Sequence, residues 1–482
     1  MHLPLSEKTI LPVKMGGVAG GSKFVCQGIL FKFALDTLIE TPHGSFWMYG
    51  DTIPCSEFAM KAAKHDLQGI IRLFNCRLPD LNVALAALID FRGFRLIAQS
   101  LLPINKETIK YGSDDGGKTH YFDEGLHDVF RRASALLNLK AHPFTPRVEP
   151  TSRIVYGPVD LEGHLGTDGK NYAVDLARMF PPEAPHLALR KRTRSEYFKL
   201  LRPELVQAFH SPLSPDTFTN FGRESAQKDK PEVEAATLYL QQSVIPGFVF
   251  KLEHKQIRTD SSQDLIEEIH RAGINIRYLG AIREKIDSHL VVSMTILTEM
   301  VLRCTKNMLR RALRQQTERT KLSVDTPYVR VILEHLNLYF GNSNVSKEFW
   351  RRHVKDVLTD KFVVGLHPEE VLLDYDLRKS LNMQVLLNRV QETTGIRLIN
   401  SARTYDQNKA FEFLYTDIEA INTVTHHMNI ANYAEGSLLL LLSKRKKDRE
   451  EKLRLLQLAE NKLRLAKASA MGTEAVYQLG HV

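Results

Sequence analysis

An α+β fold followed by a mostly helical region is what this sequence predicts, on three observations. Short runs of β-formers alternate with helical runs over about the first third of the chain. Asp-Gly and other glycine-containing turns punctuate those runs, and from about Glu224 onward helical periodicity takes over. At 482 residues the chain is too long for one compact core, and we expect three segments, 1–285, 286–415 and 416–482.

Each element has a local reason. Phe24 to Leu35 is rich in β-formers, with Gly28 as the turn between two strands. Glu57 to Gln68 is expected as a helix, with Ser56 as its N-cap and Gly69 as its stop. Val83 to Ile89 and Phe94 to Leu102 are apolar runs joined as a hairpin through Asp90-Phe91-Arg92-Gly93. Leu126 to Leu139 is a second helix, ended by Pro143, and Ile154 to Asp175 returns to short strands around an Asp168-Gly169 turn. Gln263 to Ala272, Leu290 to Arg319 and Pro327 to Tyr339 carry helix periodicity, and Asp448 to Lys467 is a charged amphipathic helix. Ser211-Pro212-Leu213-Ser214-Pro215 and Lys228-Asp229-Lys230-Pro231 read as loops or linkers.

Composition narrows the class. Hydrophobic residues at 43% and charged residues at 25% are the balance of a folded globular protein. No run approaches eighteen consecutive apolar residues, so no transmembrane helix is expected, and Met1-His2-Leu3-Pro4 does not open a secretion signal. Four scattered cysteines (Cys26, Cys55, Cys76, Cys304) form no CxxC pair, which argues against a disulfide framework and a cysteine zinc site and for a reducing, cytoplasmic setting. A formal charge of +9 draws a chain toward phosphate-rich partners, or simply keeps it in solution. The surplus is concentrated in Arg303, Lys306, Arg310, Arg311 and Arg314, one dense basic helix face, and in Lys444-Arg445-Lys446-Lys447. Such runs are commonly solvated faces, and they are the RNA-binding candidates if phosphate contact is made.

The stretch Asp160-Leu161-Glu162-Gly163-His164-Leu165-Gly166-Thr167-Asp168-Gly169-Lys170-Asn171-Tyr172, continuing through Asp175, Arg178, Pro181 and Pro182, resembles the signature of the clustered mitochondria (Clu) family. Six further pieces resemble that family in order. They are Gly28-Ile29-Leu30-Phe31-Lys32-Phe33, Ala59 to Leu67, Tyr111-Gly112-Ser113-Asp114, Leu201 to Leu205, Leu213 to Phe218 and Gly273 to Gly280. The resemblance implies a Clu domain over 1–285 and a helical Clu central-like region over 286–415, leaving a charged helical segment at 416–482. It also implies a cytoplasmic interaction protein for mitochondrial distribution, associated with messenger RNA or ribosome-associated proteins and only indirectly with the mitochondrial surface. Neither a ubiquitin-like N-terminal region nor a full tetratricopeptide array, both carried by longer Clu proteins, is evident in this sequence.

The order of elements allows a second reading, a two-lobed kinase-like module that is active or degenerate. Gly16, Gly17, Gly20 and Gly21 precede a strand pair bearing Lys32, a helix with Glu57 follows, and Asp160 and Asp175 flank a hairpin. In kinase-like folds a strand lysine holds phosphates, a helix glutamate orients it, and two aspartates position the substrate and bind magnesium. Lys32, Glu57, Asp160 and Asp175 are then the candidate catalytic residues, His164 and Asp175 the candidate metal ligands, and ATP with Mg the ligands. Against it, Asp160 follows Tyr156-Gly157-Pro158-Val159 rather than His-Arg, and Asp175 precedes Leu176-Ala177 rather than Phe-Gly. Asp175 pairing with Arg178 or Arg202 as a structural ion pair is the plainer account. No GxSxG, HExxH or Walker sequence is present, and no cofactor is otherwise implied.

Overall fold

Gln27 and Gly28 turn the chain sharply and start the main sheet. The computed structural model describes residues 9–13, 22–41, 44–188, 192–257, 259, 261–286, 290–320, 326–399, 412–427, 430–446 and 448–467. The glycines at 16, 17, 20 and 21 lie outside the described residues, as does Lys447. The fold is α+β, strand-rich first and helical afterwards.

The N-terminal strands are β1 (Pro12–Val13), β2 (Lys23–Cys26), β3 (Ile29–Phe33), β4 (Leu38–Thr41) and β5 (Gly44–Trp47), followed by helix α1 (Ser56–Asn75). Then come β6 (Asn82–Val83), β7 (Ala86–Phe91), β8 (Phe94–Ser100), β9 (Ile109–Tyr111) and helix α2 (Glu124–Leu137). Strands β10 (His142–Phe144), β11 (Arg153–Val155), β12 (Glu162–Leu165) and β13 (Asn171–Val174) complete this part. A six-stranded antiparallel sheet runs β1-β2-β3-β8-β7 and ends on β16 (Val424–His427), which pairs with β7. A second, four-stranded sheet runs β6-β13-β12-β9, and β4–β5 is a separate hairpin between β3 and α1. Helix α1 packs against β7, burying Met60, Ala63, Leu67 and Ile70.

The helical body contains α3 (Pro203–Ala208), α4 (Ala226–Tyr239), α5 (Ile245–Glu253), α6 (Ser262–Arg271), α7 (Leu279–Arg283) and the 30-residue α8 (Val291–Thr320). It continues with α9 (Thr326–Phe340), α10 (Asn344–Glu348), α11 (Val354–Phe362), α12 (Pro368–Val371) and α13 (Met383–Thr394). A small β14–β15 pair (Ile396–Leu398, Ile418–Ile421) and the helices α14 (Ile430–Arg445) and α15 (Arg449–Lys467) follow. One apolar core, from Ala34 through Leu88, Leu126, Met300 and Trp350 to Phe413, joins both parts of the chain. Two of the largest buried polar side chains are matched: Arg283 bonds Glu370 at 2.6 and 2.8 Å, and Trp350 Nε1 donates to the Tyr339 carbonyl at 2.9 Å.

Five local expectations change, the first at the start of α1, where Cys55 rather than Ser56 is the N-cap and no side chain caps the helix. Helix α1 continues through Gly69 to Asn75, because Gly69 packs against the Leu176 backbone, where a Cβ would sit 2.4 Å from the carbonyl oxygen. The run from Val83 to Ile89 divides, Asn82–Val83 joining β13 in the second sheet and Ala86 onward joining the first. Helix α2 stops at Asn138 in the left-handed conformation (φ 57°), before Pro143 is reached. Lys228-Asp229-Lys230-Pro231 lies inside α4 rather than in a loop. Buried Val233 and Ala236 hold that helix to the core, and buried Asp229 meets Lys140 at 2.9 Å, which outweighs the helix bond that Pro231 cannot make.

Candidate functional site

A cleft of about 110 Å³ opens where β3 and β8, helix α1, the β4–β5 hairpin and the residues flanking the β12–β13 hairpin meet. Lys32, Asp160 and Asp175 all line it, together with Asp66, which the sequence reading had not selected. Ala34, Leu35, Met48 and Ile97 give the lining its apolar part, while the Phe33 ring packs on Phe24 and Phe94 on the other face of β3.

Lys32 is placed by the alternation of β3, opposite Lys23 on β2 and Ile97 on β8. Glu57 does not reach the cleft: it bonds Arg311 of α8 at 3.0 Å. Asp66 follows it by nine residues, about two and a half turns of a 3.6-residue helix, and so occupies the opposite face of α1. Its Oδ1 accepts the Leu176 amide at 3.1 Å, tying α1 to the chain just beyond Asp175. Burial pushes the Asp66 carboxyl upward, opposed by the Lys32 charge.

Asp175 itself has left-handed backbone (φ 58°) directly after β13, a conformation aspartate tolerates better than most residues. Its carboxylate is crowded by protein yet open to the cleft, and among the described residues it has no hydrogen-bond or ion-pair partner. Burial first, then the charges of Glu162, Asp66 and Asp160, push it up to about 7, while Lys32 pulls the other way. Neither Arg178 nor Arg202 pairs with it. Arg202 bonds Glu204 at 2.9 Å, and Arg178 bonds Asp160 at 2.8 Å and Asp216 at 2.9 Å.

Behind the cleft, that arginine heads a buried polar chain. Asp216 accepts from Arg178, from the Val159 amide at 2.8 Å and meets His142 Nε2 at 3.0 Å. Burial alone would raise the Asp216 carboxyl; Arg178 and His142 outweigh it and hold it at about 2. The sequence showed neither Asp216 nor His142 as a partner of the motif, since both lie far from it along the chain.

The rest of the motif is structural. His164 is buried on β12, its Nδ1 3.0 Å from Thr108 Oγ1 and its Nε2 3.1 Å from Glu162 Oε2, so it stands outside the cleft lining with both nitrogens engaged. Asp168 accepts from the Tyr172 hydroxyl at 2.7 Å across the hairpin turn at Gly169, and a Cβ on Gly166 would meet Asp168 at 2.7 Å. The Pro181 carbonyl accepts the Leu201 amide at 2.9 Å and Pro182 bridges to Leu200. Among the described residues no group of three His, Cys, Asp or Glu side chains is arranged to hold a metal ion.

The basic face of α8 is turned inward. Arg310 bonds Asp90 on β7, and the same carboxylate holds Arg95 at 2.8 and 2.9 Å. Arg314 donates to the Gly93 carbonyl at 2.9 Å, Arg303 pairs with buried Glu299, and burial lowers the Lys306 ammonium well below its usual range. Of the five, only Arg311 shows most of its side chain, at 65%. Lys444, Arg445 and Lys446, in contrast, are all exposed.

These elements define an α+β module around a polar cleft, continued without a break into a helical body; among the described residues no helix is long and apolar enough to cross a membrane. Residues 1–186 match the family model described as Clustered mitochondria, and residues 256–355 match that of Translation initiation factor eIF3 subunit 135. The first 186 residues thus match the clustered mitochondria family, and similarity to curated proteins of that name extends over more of the chain. It is similar to the Clustered mitochondria protein of Arabidopsis thaliana, 23% identical over 58% of this chain and 25% of that protein. The homologue of Dictyostelium discoideum is 25% identical over 64% of this chain and 29% of its own length. That of Caenorhabditis elegans reaches 32% over a shorter stretch, 27% of this chain and 11% of its own. The chain thus spans about a quarter to a third of the length of the first of these relatives. No solved structure matches it.

Proposed function

We propose that this chain is an interaction protein acting in the cytoplasm on mitochondrial distribution, through association with RNA or the translation machinery. The observation that carries this reading is the union of the two matched regions in one body. Helix α8, inside the part similar to the initiation-factor subunit, docks on the β7–β8 hairpin of the Clu region through Arg310, Asp90 and Arg95. That docking uses up most of the basic face expected to meet RNA, so the phosphate contacts fall to Lys444 and Arg445, with Lys446 beside Glu451 and Arg311 beside Glu57 as lesser contributors. A titration of the purified chain with single-stranded RNA at increasing salt tests it. Binding that weakens steeply with salt supports the reading, and absence of binding at low salt removes RNA as the partner.

A second reading, nucleotide binding in a kinase-like cleft, is favoured by one observation: Lys32, Asp160 and Asp175 line the same cleft from separate elements. The departures at Asp160 and Asp175 from kinase motifs fit binding better than phosphoryl transfer. A rise in melting temperature with ATP and magnesium is the outcome this reading requires.

A further inference from the structure

Resting on the nucleotide-binding reading, we propose that the cleft takes a divalent cation only together with a phosphoryl ligand, as a metal–nucleoside triphosphate, with Asp175 as the metal-binding carboxylate, Lys32 as the phosphate contact and Asp66 as the carboxylate of α1. Three observations support this. The cleft has two poles: Lys32 rises from β3 on the sheet side, while Asp66, Asp160 and Asp175 come from α1 and from either end of the β12–β13 hairpin. Among these carboxylates Asp160 already holds Arg178, and Asp66 holds the Leu176 amide, whereas Asp175 has no partner among the described residues and faces open space. No three-carboxylate cage exists among the described residues, and magnesium characteristically uses one or two carboxylates and completes its shell with substrate phosphates and water.

The same geometry assigns the organic part of the ligand. The apolar side chains of Ala34, Leu35, Met48 and Ile97 border the cleft and offer a base its hydrophobic contact, while the β4–β5 hairpin closes one edge. That hairpin is fastened across the cleft: Arg194 bonds the Met48 carbonyl and its guanidinium lies 4.6 Å from the Phe46 ring and 4.8 Å from that of Tyr197, another cleft residue. A bare triphosphate shares the metal and lysine contacts but not the hydrophobic one.

Calorimetric titration of the full chain separates the alternatives, with five probes: Mg²⁺ alone, ATP with a chelator, Mg²⁺–ATP, Mg²⁺–triphosphate and adenosine. The expected result is binding of Mg²⁺–ATP at least tenfold tighter than of either component, and weaker binding of Mg²⁺–triphosphate. Asp175→Asn and Lys32→Ala each lose at least tenfold, Asp66→Asn loses affinity, and Glu57→Gln changes nothing. Unfolding curves establish that each variant is folded, and Asp175→Ser serves if Asp175→Asn is not. ATP binding that ignores magnesium, or that survives Asp175→Asn, overturns this site assignment while keeping the nucleotide reading. Triphosphate binding as tightly as ATP removes the base contact and with it the nucleotide as the ligand. No binding of any probe overturns both readings.

Discussion

Arg178 and Asp216 meet at 2.9 Å with almost no exposure of either side chain, 6% and 0%. The pair connects the cleft, through Asp160, to the core, through Val159 and His142. Removing one partner of a buried pair leaves the other charge without compensation, at a cost of about 3–5 kcal/mol. Asp216→Ala is therefore expected to lower stability by about that amount in denaturant unfolding, and a loss under about 1 kcal/mol refutes the structural role.

The pH dependence of Asp175 has a definite sign. The groups facing it are Lys32 and Lys23 from the sheet, Asp66 from α1, Glu162 from β12, and Asp160. Its folded-state value, raised to about 7 from an ordinary 3.8, means that the native protein holds a proton the unfolded chain releases. The stabilising contribution is complete below the unfolded value and is lost as pH rises to about 7. Without ligand, Asp175→Asn is expected to flatten the fall in stability across this window. The gain at pH 8 is of order 1 kcal/mol, because the carboxylate is open to water and its repulsions are screened. Parallel stability–pH curves for the two proteins exclude this account.

The two basic regions separate under mutation. Reversing Lys444, Arg445 and Lys446 to glutamate removes three phosphate contacts at most and lowers the slope of log affinity against log salt by about 2 for single-stranded RNA. The unfolding curve is expected to stay close to that of the parent, since all three side chains are exposed. An unchanged slope clears these residues of an RNA role.

Arg310→Glu behaves differently. It sets a second carboxylate against Asp90, on which Arg95 and Arg310 converge, and destabilises the protein by about 3 kcal/mol or more. Hydrogen exchange localises the damage: the amides of β7 and β8 exchange faster while those of α11 and α13 keep their protection. Uniform deprotection would show that α8 docking is not a local contact.

Gly112 offers a test of how Asp160 is positioned. Its φ is 89°, and a Cβ there would lie 1.6 Å from the Leu161 carbonyl oxygen. Gly112→Ala forces the backbone after Asp160 to move and is expected to reduce both stability and Mg²⁺–ATP affinity. Retained affinity in a folded variant would detach Asp160 from the site.

The change from a strand-rich first part to a helical second part, the β2–β3 and β7–β8 hairpins, the Asp168-Gly169 turn and the family motif at 160–183 were legible in the chain, because period, turn chemistry and short motifs are local. The sequence order of elements also grouped Lys32, Asp160 and Asp175, which line one cleft. Which carboxylate of α1 joins them was not legible: Glu57 and Asp66 are equivalent in sequence, and only packing shows which face of α1 meets α8 and which the cleft. The basic face of α8 was misread for a related reason. Arg310 finds Asp90 220 positions away, so a run of cations that looks solvated in the sequence is buried and paired in the fold. Tertiary contact likewise made a helix of the segment around Pro231, where local propensity alone favours a break. Local pattern determined the elements; long-range packing decided which charges remain free to act, because desolvation and pairing depend on neighbours that the linear order does not reveal.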